Sequence, residues 1–267
     1  MVTAVLAATR AELTKILTLR GTWIGTGVIL ALHVLIAAAN LRLNTEAVAA
    51  ITPDGRIERF TGQPRPAHQA IVDLLVASSF QMSLFLPSLA AVLAGQEFRA
   101  HQLGQSVLAV PRRVVLVTAK TVAVAAYLLV VSMVIAGIST VFMYAAVRGW
   151  DAGVVTSGDA LRGQGRFLVF AVLSALVGSA VTVIARSALI GIVVAVALIV
   201  VTMTQVLAVS VPALDALFPF SAGRNLLLDP EDTKLTAGPA HALVVLVLWP
   251  ALTTAVAGLA LSRRDAR

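Results

Sequence analysis

The residue types that most often perform catalysis are spread thinly along this chain. None of its four histidines belongs to a His-Glu-x-x-His zinc motif, and its three lysines lack the glycines of a phosphate-binding loop. Cysteine is absent, which excludes disulfides, thiolate chemistry and Cys-based metal sites. We therefore expect no catalysis, metal or cofactor on this chain. The histidines are His33, His68, His101 and His241.

His33 lies within a long apolar run. Ionisable residues inside a membrane are costly and often functional. A neutral histidine can also donate a hydrogen bond to a neighbouring helix, and we favour that interpretation here. An intramembrane hydrolase would need a Ser/His, Asp/Asp or His/Glu pair within the spans, and none is evident. No acid–base pair is expected to be buried in the spans, which argues against a proton-driven pump.

The most informative spacing follows the second apolar run. Phe98, Leu103, Val107 and Leu108 can form an apolar stripe on a short helix. Pro111 would end that helix, because the residue before proline avoids helical dihedrals. Such a helix at the cytoplasmic mouth suits docking of another protein. The alternative is a solvated connector that stops at the proline. The residues alone leave both interpretations open.

Mildly polar stripes on two of the apolar runs are candidates for a substrate pathway. Polar side chains within a bundle either line a cavity or form hydrogen bonds between helices, and the second use is the commoner one. On the second run these residues are Ser78, Gln81, Phe85 and Ser88, and on the fifth they are Thr202 and Gln205.

The composition excludes a soluble domain and predicts the elements that hold these residues. Of 267 residues, 59% are hydrophobic and 12% are charged, whereas soluble domains carry roughly a quarter charged residues. The apolar runs are long enough to cross a bilayer, and backbone groups in lipid must be satisfied within the segment, which favours helices. We predict an all-α membrane protein with a single transmembrane domain over residues 1–267. Its six spans are residues 23–41, 71–95, 121–147, 167–185, 188–211 and 242–261.

The positions of Lys and Arg predict the orientation. With the N-terminus inside, the cytoplasmic segments carry eleven of the 20 basic residues, mostly near helix ends, but only three of the 13 acidic residues. Both termini are therefore predicted to be cytoplasmic, in the plasma (inner) membrane. The basic inner face suits contact with anionic membrane lipid. Because the basic residues are divided among helix ends, we expect no nucleic-acid partner.

Residues 2–20 are predicted to form an amphipathic helix in the inner interface. Leu6, Thr9, Leu13, Ile16 and Leu17 fall on one helical face, and the charged residues of the segment lie elsewhere on the wheel. The basic side is expected to face lipid head groups.

Residues 213–228 are predicted to form a broken interfacial or re-entrant helix that acts as a lid on the outer side. The segment is too short to cross the bilayer, and Pro219 is expected to break it.

The inner loop resembles the signature of ABC exporter permeases of the second, six-helix type, especially the actinobacterial kind. Those show Gly-x-Glu-Tyr/Phe-Arg, a short helix with a Leu, then Pro-Arg-Arg and a later Ala-Lys. Glu12-Leu13-Thr14-Lys15 with Trp23 is similar to the family's elbow helix, and Arg263-Arg264-Asp265 resembles its C-terminal ending. Ala100-His101-Gln102 departs from the usual His-Gly-Thr type of run. The matching residues of the loop are Gly95, Glu97, Phe98, Arg99, Leu108, Pro111, Arg112, Arg113, Ala119 and Lys120.

The resemblance implies a coupling helix in residues 96–110 that receives force from a separate ATPase. Glu97 would cap the start of that helix, Phe98 and Leu103 would fill an apolar groove on the ATPase, and Arg99 would meet an acidic partner residue. ATP and Mg would lie on the partner, so this chain would hold no cofactor. The full set of implied coupling residues is Glu97, Phe98, Arg99, His101, Leu103, Pro111, Arg112 and Arg113.

The resemblance also implies a dimer with a second permease subunit, identical or different, bound to two ATPase subunits. The pathway for an exported substrate would run through this chain. Two alternatives are a non-transporting immunity or sensor subunit with the same fold and, less favoured, an intramembrane hydrolase.

The predicted topology can be tested because the chain contains no cysteine. Single cysteines at positions 62 and 232 should react with an impermeant maleimide in intact cells, because both loops are predicted to be outside. A cysteine at position 101 should react only after permeabilisation. Labelling of position 101 in intact cells would contradict the orientation.

Overall fold

The computed structural model describes residues 2–58, 64–99, 112–228 and 234–263, which are almost entirely helical. Residues 100–111, and with them His101, Leu103 and Pro111 of the predicted coupling loop, lie outside the described residues. The major helices are α1 (Val2–Thr18), α2 (Arg20–Ala49), α3 (Ala67–Ser83), α4 (Leu86–Arg99), α5 (Arg113–Val147), α6 (Gly158–Ala185), α7 (Ala188–Met203) and α11 (Pro239–Arg263). Short elements are β1 (Arg56–Glu58), β2 (Pro64–Pro66), a 3₁₀ helix (Ala152–Thr156), α8 (Val206–Ser210), α9 (Pro212–Asp215) and α10 (Pro219–Leu227).

Five helical stretches among the described residues are long and apolar enough to cross a membrane. Large apolar side chains cover their outer faces, such as Leu35 on α2 and Leu252 on α11. Such a surface is stable in lipid, where the helix itself satisfies the backbone polar groups. The chain is therefore an all-α, multi-pass membrane protein. The five stretches are Arg20–Ala49, Ala67–Phe98, Arg113–Val147, Gly158–Ala185 and Pro239–Leu261.

The remaining predicted span, residues 188–211, is interrupted. Its helix α7 has 16 residues, which reach only about 24 Å at 1.5 Å per residue. Gln205 then adopts a left-handed conformation with φ of 53°, which ends α7 before α8 begins. A left-handed non-glycine residue costs about 1–2 kcal/mol, so the surrounding packing must hold this break in place.

Helix α6 lies at the centre and packs against α3, α4, α5, α7 and α11. Its contact with α4 is close enough to exclude a side chain at Gly178, where an added Cβ would lie 2.3 Å from the Pro87 carbonyl oxygen. Gly95 also has no space for a side chain, because an added Cβ would lie 2.3 Å from the Cβ of Ala188 on α7. Small residues at such crossings let helices in lipid approach each other closely.

The two ends of the bundle are defined by contacts between its helices. Gly95 meets Ala188, and Arg113 Nη1 donates to the Leu261 carbonyl oxygen at 3.1 Å, so these chain positions share one end. We call it the inner end, following the predicted orientation. The opposite, outer end holds the antiparallel hairpin of β1 and β2, with Ile57 opposite Arg65, and the short helices α8 to α10.

The outer segment 213–228 is broken, but the prediction that Pro219 breaks a helix is wrong. Pro219 starts α10, and the break precedes it at residues 216–218. Proline is well suited to the first turn of a helix, because its missing N–H would have no intrahelical acceptor there. The segment also does not lie on the surface as a lid would, since every residue of α10 is buried.

The close crossing at Gly178 yields a stability prediction. Gly178→Ala should destabilise the folded chain by about 1–3 kcal/mol, because the new methyl group would overlap the α4 backbone. Thermal unfolding in detergent measures this effect. The matched control is Gly137→Ala on α5, where a Cβ meets nothing within 4 Å and the unfolding temperature should hold or rise. Equal behaviour of the two variants would contradict the crossing.

Candidate functional site

Four charged side chains form a closed ring at the inner end. Lys15 Nζ contacts Glu97 Oε1 at 2.5 Å and Glu12 Oε1 at 3.1 Å. Lys120 Nζ contacts the same Glu97 oxygen at 2.5 Å and Glu12 Oε2 at 2.8 Å. Each carboxylate therefore meets two ammonium groups, and each ammonium meets two carboxylates. We call this set the inner charge ring.

The inner charge ring joins three helices whose residues are far apart in sequence. Glu12 and Lys15 lie on α1, Glu97 lies in the last turn of α4, and Lys120 lies in the second turn of α5. Opposite charges cancel within the ring, so its partial burial does not leave a net charge in an apolar environment. The ring therefore holds α1 against the rest of the bundle at the point where the inner loop begins.

The environment of Lys15 keeps its ammonium charged. Burial alone would lower the pKa of Lys15, but hydrogen bonds and the negative charges of Glu97 and Glu12 outweigh burial and raise that pKa above its ordinary value. A raised pKa means that folding binds this proton more tightly. The stabilisation is therefore complete below the ordinary lysine pKa and is lost as the pH rises through the raised one.

Helix α1 packs through only part of the predicted apolar face, because Ile16 is buried and Leu13 packs against the core. Val5 and Ala8 add contacts with Val115 and Ala119 of α5. Glu12 and Lys15 turn inward to the ring, whereas Arg10 is exposed. Leu6 and Leu17, from the predicted apolar face, are exposed.

The predicted helix-capping role of Glu97 is wrong. Glu97 lies inside α4, which continues to Arg99, and its carboxylate is bound within the chain. Phe98 is half-buried and lines a cavity at the inner end, so much of its ring is occupied by this chain. The described residues do not test whether Phe98 and Arg99 contact an ATPase, and that role stays a prediction.

The Pro-Arg-Arg part of the inner motif reaches α5. Arg112 precedes the helix and is exposed. Arg113, half-buried, donates to the carbonyl oxygen of Leu261 in the last turns of α11. The last carbonyl groups of a helix have no intrahelical donor, so this bond stabilises the end of α11 and ties it to the start of α5.

The predicted polar stripe on the second span does not stay on one face. Gln81 and Phe85 are exposed, whereas Ser78 and Ser88 are half-buried, and Ser78 Oγ lies 3.4 Å from Ser139 Oγ of α5. Ser78 and Gln81 both lie on α3, so they differ because α5 packs against the Ser78 side of that helix, whereas the break at residues 84–85 separates them from Ser88 on α4. The serines therefore face neighbouring helices, while Gln81 and Phe85 face outward.

The second predicted pair, Thr202 and Gln205, lies beside a buried polar network at the outer end. Arg224 pairs with Asp215, and its Nη1 donates to the Thr202 carbonyl oxygen at 2.9 Å. Thr236 Oγ1 donates to Asp215 Oδ2 at 2.7 Å. Gln205 Oε1 accepts from the Lys234 backbone N–H at 3.4 Å. The network fixes α9 and α10 to the break after α7.

Sequence reasoning missed the buried pair of Asp215 and Arg224. Both side chains are almost fully buried outside the candidate spans. A signal was available, because these are the only charged residues between positions 206 and 228. Charged residues isolated in an apolar stretch of a membrane protein normally pair with one another.

His33 is held between two helices. Its Nε2 lies 3.0 Å from Ser139 Oγ and 3.2 Å from the Ile135 carbonyl oxygen, both on α5. About two helical turns toward the inner end, Thr26 and Tyr127 share a hydrogen bond of 2.7 Å. This geometry agrees with the interpretation of His33 as a hydrogen-bonding contact between helices. No group of three or more His, Asp or Glu residues in the described ranges could hold a metal ion.

No known protein family matches the chain, and no curated protein is significantly similar to it.

The inner charge ring predicts an unequal response to two substitutions. Glu97→Gln should destabilise the chain by about 3 kcal/mol, because two partly buried ammonium groups lose a shared carboxylate. Glu46→Gln, which breaks the exposed pair with Arg42, should cost no more than about 0.5 kcal/mol. Denaturant or thermal unfolding of the purified chain measures both. Equal losses would show that the ring contributes no more than a surface ion pair.

Proposed function

We propose that this chain is the membrane-spanning permease subunit of an ATP-driven ABC exporter. It crosses the membrane six times, with α7 and α8 together forming the fifth crossing, and its termini are cytoplasmic. It forms a dimer with a second permease subunit, and two separate ATPase subunits bind at the inner end. ATP and Mg stay on those partners, and this chain supplies the pathway and the gate.

The observation that carries the proposal is the inner charge ring. The sequence between Gly95 and Lys120 resembles the coupling region of such permeases, and both ends of that region are anchored to α1. Glu97, at its start, binds Lys15 of the predicted elbow helix, and Lys120, after its end, binds Glu12 of the same helix. Elbow, coupling region and bundle are thus connected by charge pairs that resist separation.

This connection suggests how force is transmitted. The coupling region continues from the last turn of α4, which contains Glu97, so in the proposed mechanism a displacement of that loop by an ATPase acts first on the end of α4. The ring passes it to α1 and α5, and Arg113 passes it on to the end of α11. Elements with two packed arrangements convert such small shifts into opening or closing of a pathway.

The burial of Glu97 also changes which residues are proposed to contact the ATPase. Glu97 is a positioning residue that fixes where the loop begins. Direct contacts are assigned to Arg99, His101, Leu103 and Arg112, with Leu103 as the apolar anchor. Phe98 forms the wall between loop and bundle, where it can respond to docking without lying on the contact surface.

The loop at Leu103 provides the test. Leu103→Asp should lower co-purification of the ATPase from native membranes roughly 30-fold, since a buried apolar anchor is worth about 2 kcal/mol, and should abolish transport. The matched control is Leu161→Asp, an exposed leucine at the outer end, which should retain both. The chain without the ATPase should not hydrolyse ATP, because it has no phosphate-binding loop. Normal ATPase binding and transport with Leu103→Asp would contradict the proposal.

A further inference from the structure

A cleft lies at the outer end between α3, α6 and α10. Its floor is apolar and buried, and it is formed by Val72 and Val76 of α3 with Leu226 and Leu227 of α10. Gly163 of α6 lies directly against this floor, because an added Cβ there would be 2.5 Å from Val76 Cγ2. The cleft has a volume of about 350 Å³, which is enough for a small organic molecule.

The upper wall of the cleft is polar and open to solvent. Gln69 of α3 and Asp159, Arg162 and Arg166 of α6 line it, and all four are exposed. Exposed charged and amide side chains suit contact with water rather than with lipid tails. An occupant of the cleft therefore enters from the outer solution and reaches the buried apolar floor through a polar opening.

The charges of the cleft do not balance. Arg162 Nη2 donates to Asp159 Oδ1 at 2.5 Å, so these two wall residues neutralise each other. Asp73, at the edge of the floor, accepts from Arg65 Nη2 at 3.2 Å. Arg166 forms no ion pair with another residue in the described parts of the chain. One guanidinium is therefore left to attract an anion into the cleft.

The two arginines of the wall lie on the same face of α6. Residues four apart are neighbours on a helix surface, where like charges repel each other. The Arg162 side chain is held in place by Asp159 and by a bond of 3.1 Å from its Nε to the Gly158 carbonyl oxygen. A guanidinium has further N–H donors beyond these two. An anion that reaches both arginines would relieve their repulsion and accept charge-assisted hydrogen bonds from each.

We propose that this cleft binds a small organic anion from the outer solution. A carboxylate suits the head group, because the planar guanidinium of Arg166 can donate two parallel hydrogen bonds to it. The ligand carries a single negative charge, since only one positive charge of the cleft is unbalanced. Its apolar part covers the floor of Val72, Val76, Leu226 and Leu227, and binding requires no ATPase.

Equilibrium dialysis of radiolabelled ligands against the purified full chain in phosphatidylcholine nanodiscs tests the proposal, with empty nanodiscs to subtract partition into lipid. The probes are benzoate, benzamide, which has the same ring without the charge, and acetate. Benzoate should bind roughly tenfold more tightly than benzamide, because charge-assisted hydrogen bonds are about twice as strong as neutral ones. Acetate should bind more weakly than benzoate, because it leaves the apolar floor uncovered.

Two matched variants and one gain of binding separate the cleft from general attraction of anions. Arg166→Gln should weaken benzoate binding roughly tenfold. Arg148→Gln, which removes an exposed arginine after α5 at the same end but outside the cleft, should leave it unchanged. Asp159→Asn should tighten binding about threefold, because it removes a negative charge from the wall and leaves Arg162 unbalanced. A structural role of Arg166 alone would not produce that gain.

Each outcome decides the matter without reference to the proposed exporter function. Equal binding of benzoate and benzamide, equal effects of Arg166→Gln and Arg148→Gln, or no gain with Asp159→Asn would overturn the site. Acetate binding as tight as that of benzoate would overturn the apolar floor as part of it. Loss of benzoate binding when phosphatidylglycerol is added to the nanodiscs would overturn a free solute in favour of a lipid head group. The assay contains no ATPase, so its result and that of ATPase co-purification are independent.

Discussion

Charged side chains at the end of a helical bundle in a membrane are stable only where opposite charges lie within reach, because apolar surroundings penalise an unpaired charge. In this chain Glu97 imposes that condition at the inner end. Its carboxylate is nearly buried and accepts contacts from Lys15 and Lys120, and Glu12 completes the balance. The position of α1, the end of α4 and the start of α5 all follow from satisfying this one group.

The outer end obeys the same rule with different residues. Asp215 and Arg224 pair inside the protein, and Thr202, Ser221 and Thr236 satisfy further polar atoms around them. Between the two polar ends, the bundle is held by apolar packing and by close crossings at small residues such as Gly178.

In the proposed exporter, the inner charge ring would join the coupling region to the elbow helix. A force from an ATPase would then act on Lys15, Lys120 and the two carboxylates that they share.

The sequence by itself determined the class of protein and most of its helices. Long apolar runs can only be stable in lipid as helices, so an all-α membrane protein with multiple spans was predictable from composition and run length. The helical, amphipathic character of residues 2–20 and the isolation of His33 among apolar residues could also be predicted from the sequence, because both features depend on local spacing.

Tertiary structure decided which residues meet. Glu12, Glu97 and Lys120 are separated by long stretches of chain, and no local pattern states that they share one site. The inward face of α1 depends on small residues on α5, and the burial of Ser78 but not Gln81 depends on which side of α3 packs against Ser139 of α5. The left-handed Gln205 and the buried Asp215–Arg224 pair likewise exist because surrounding helices hold them. Periodicity describes one helix at a time, whereas charge pairing and close packing are properties of several helices together.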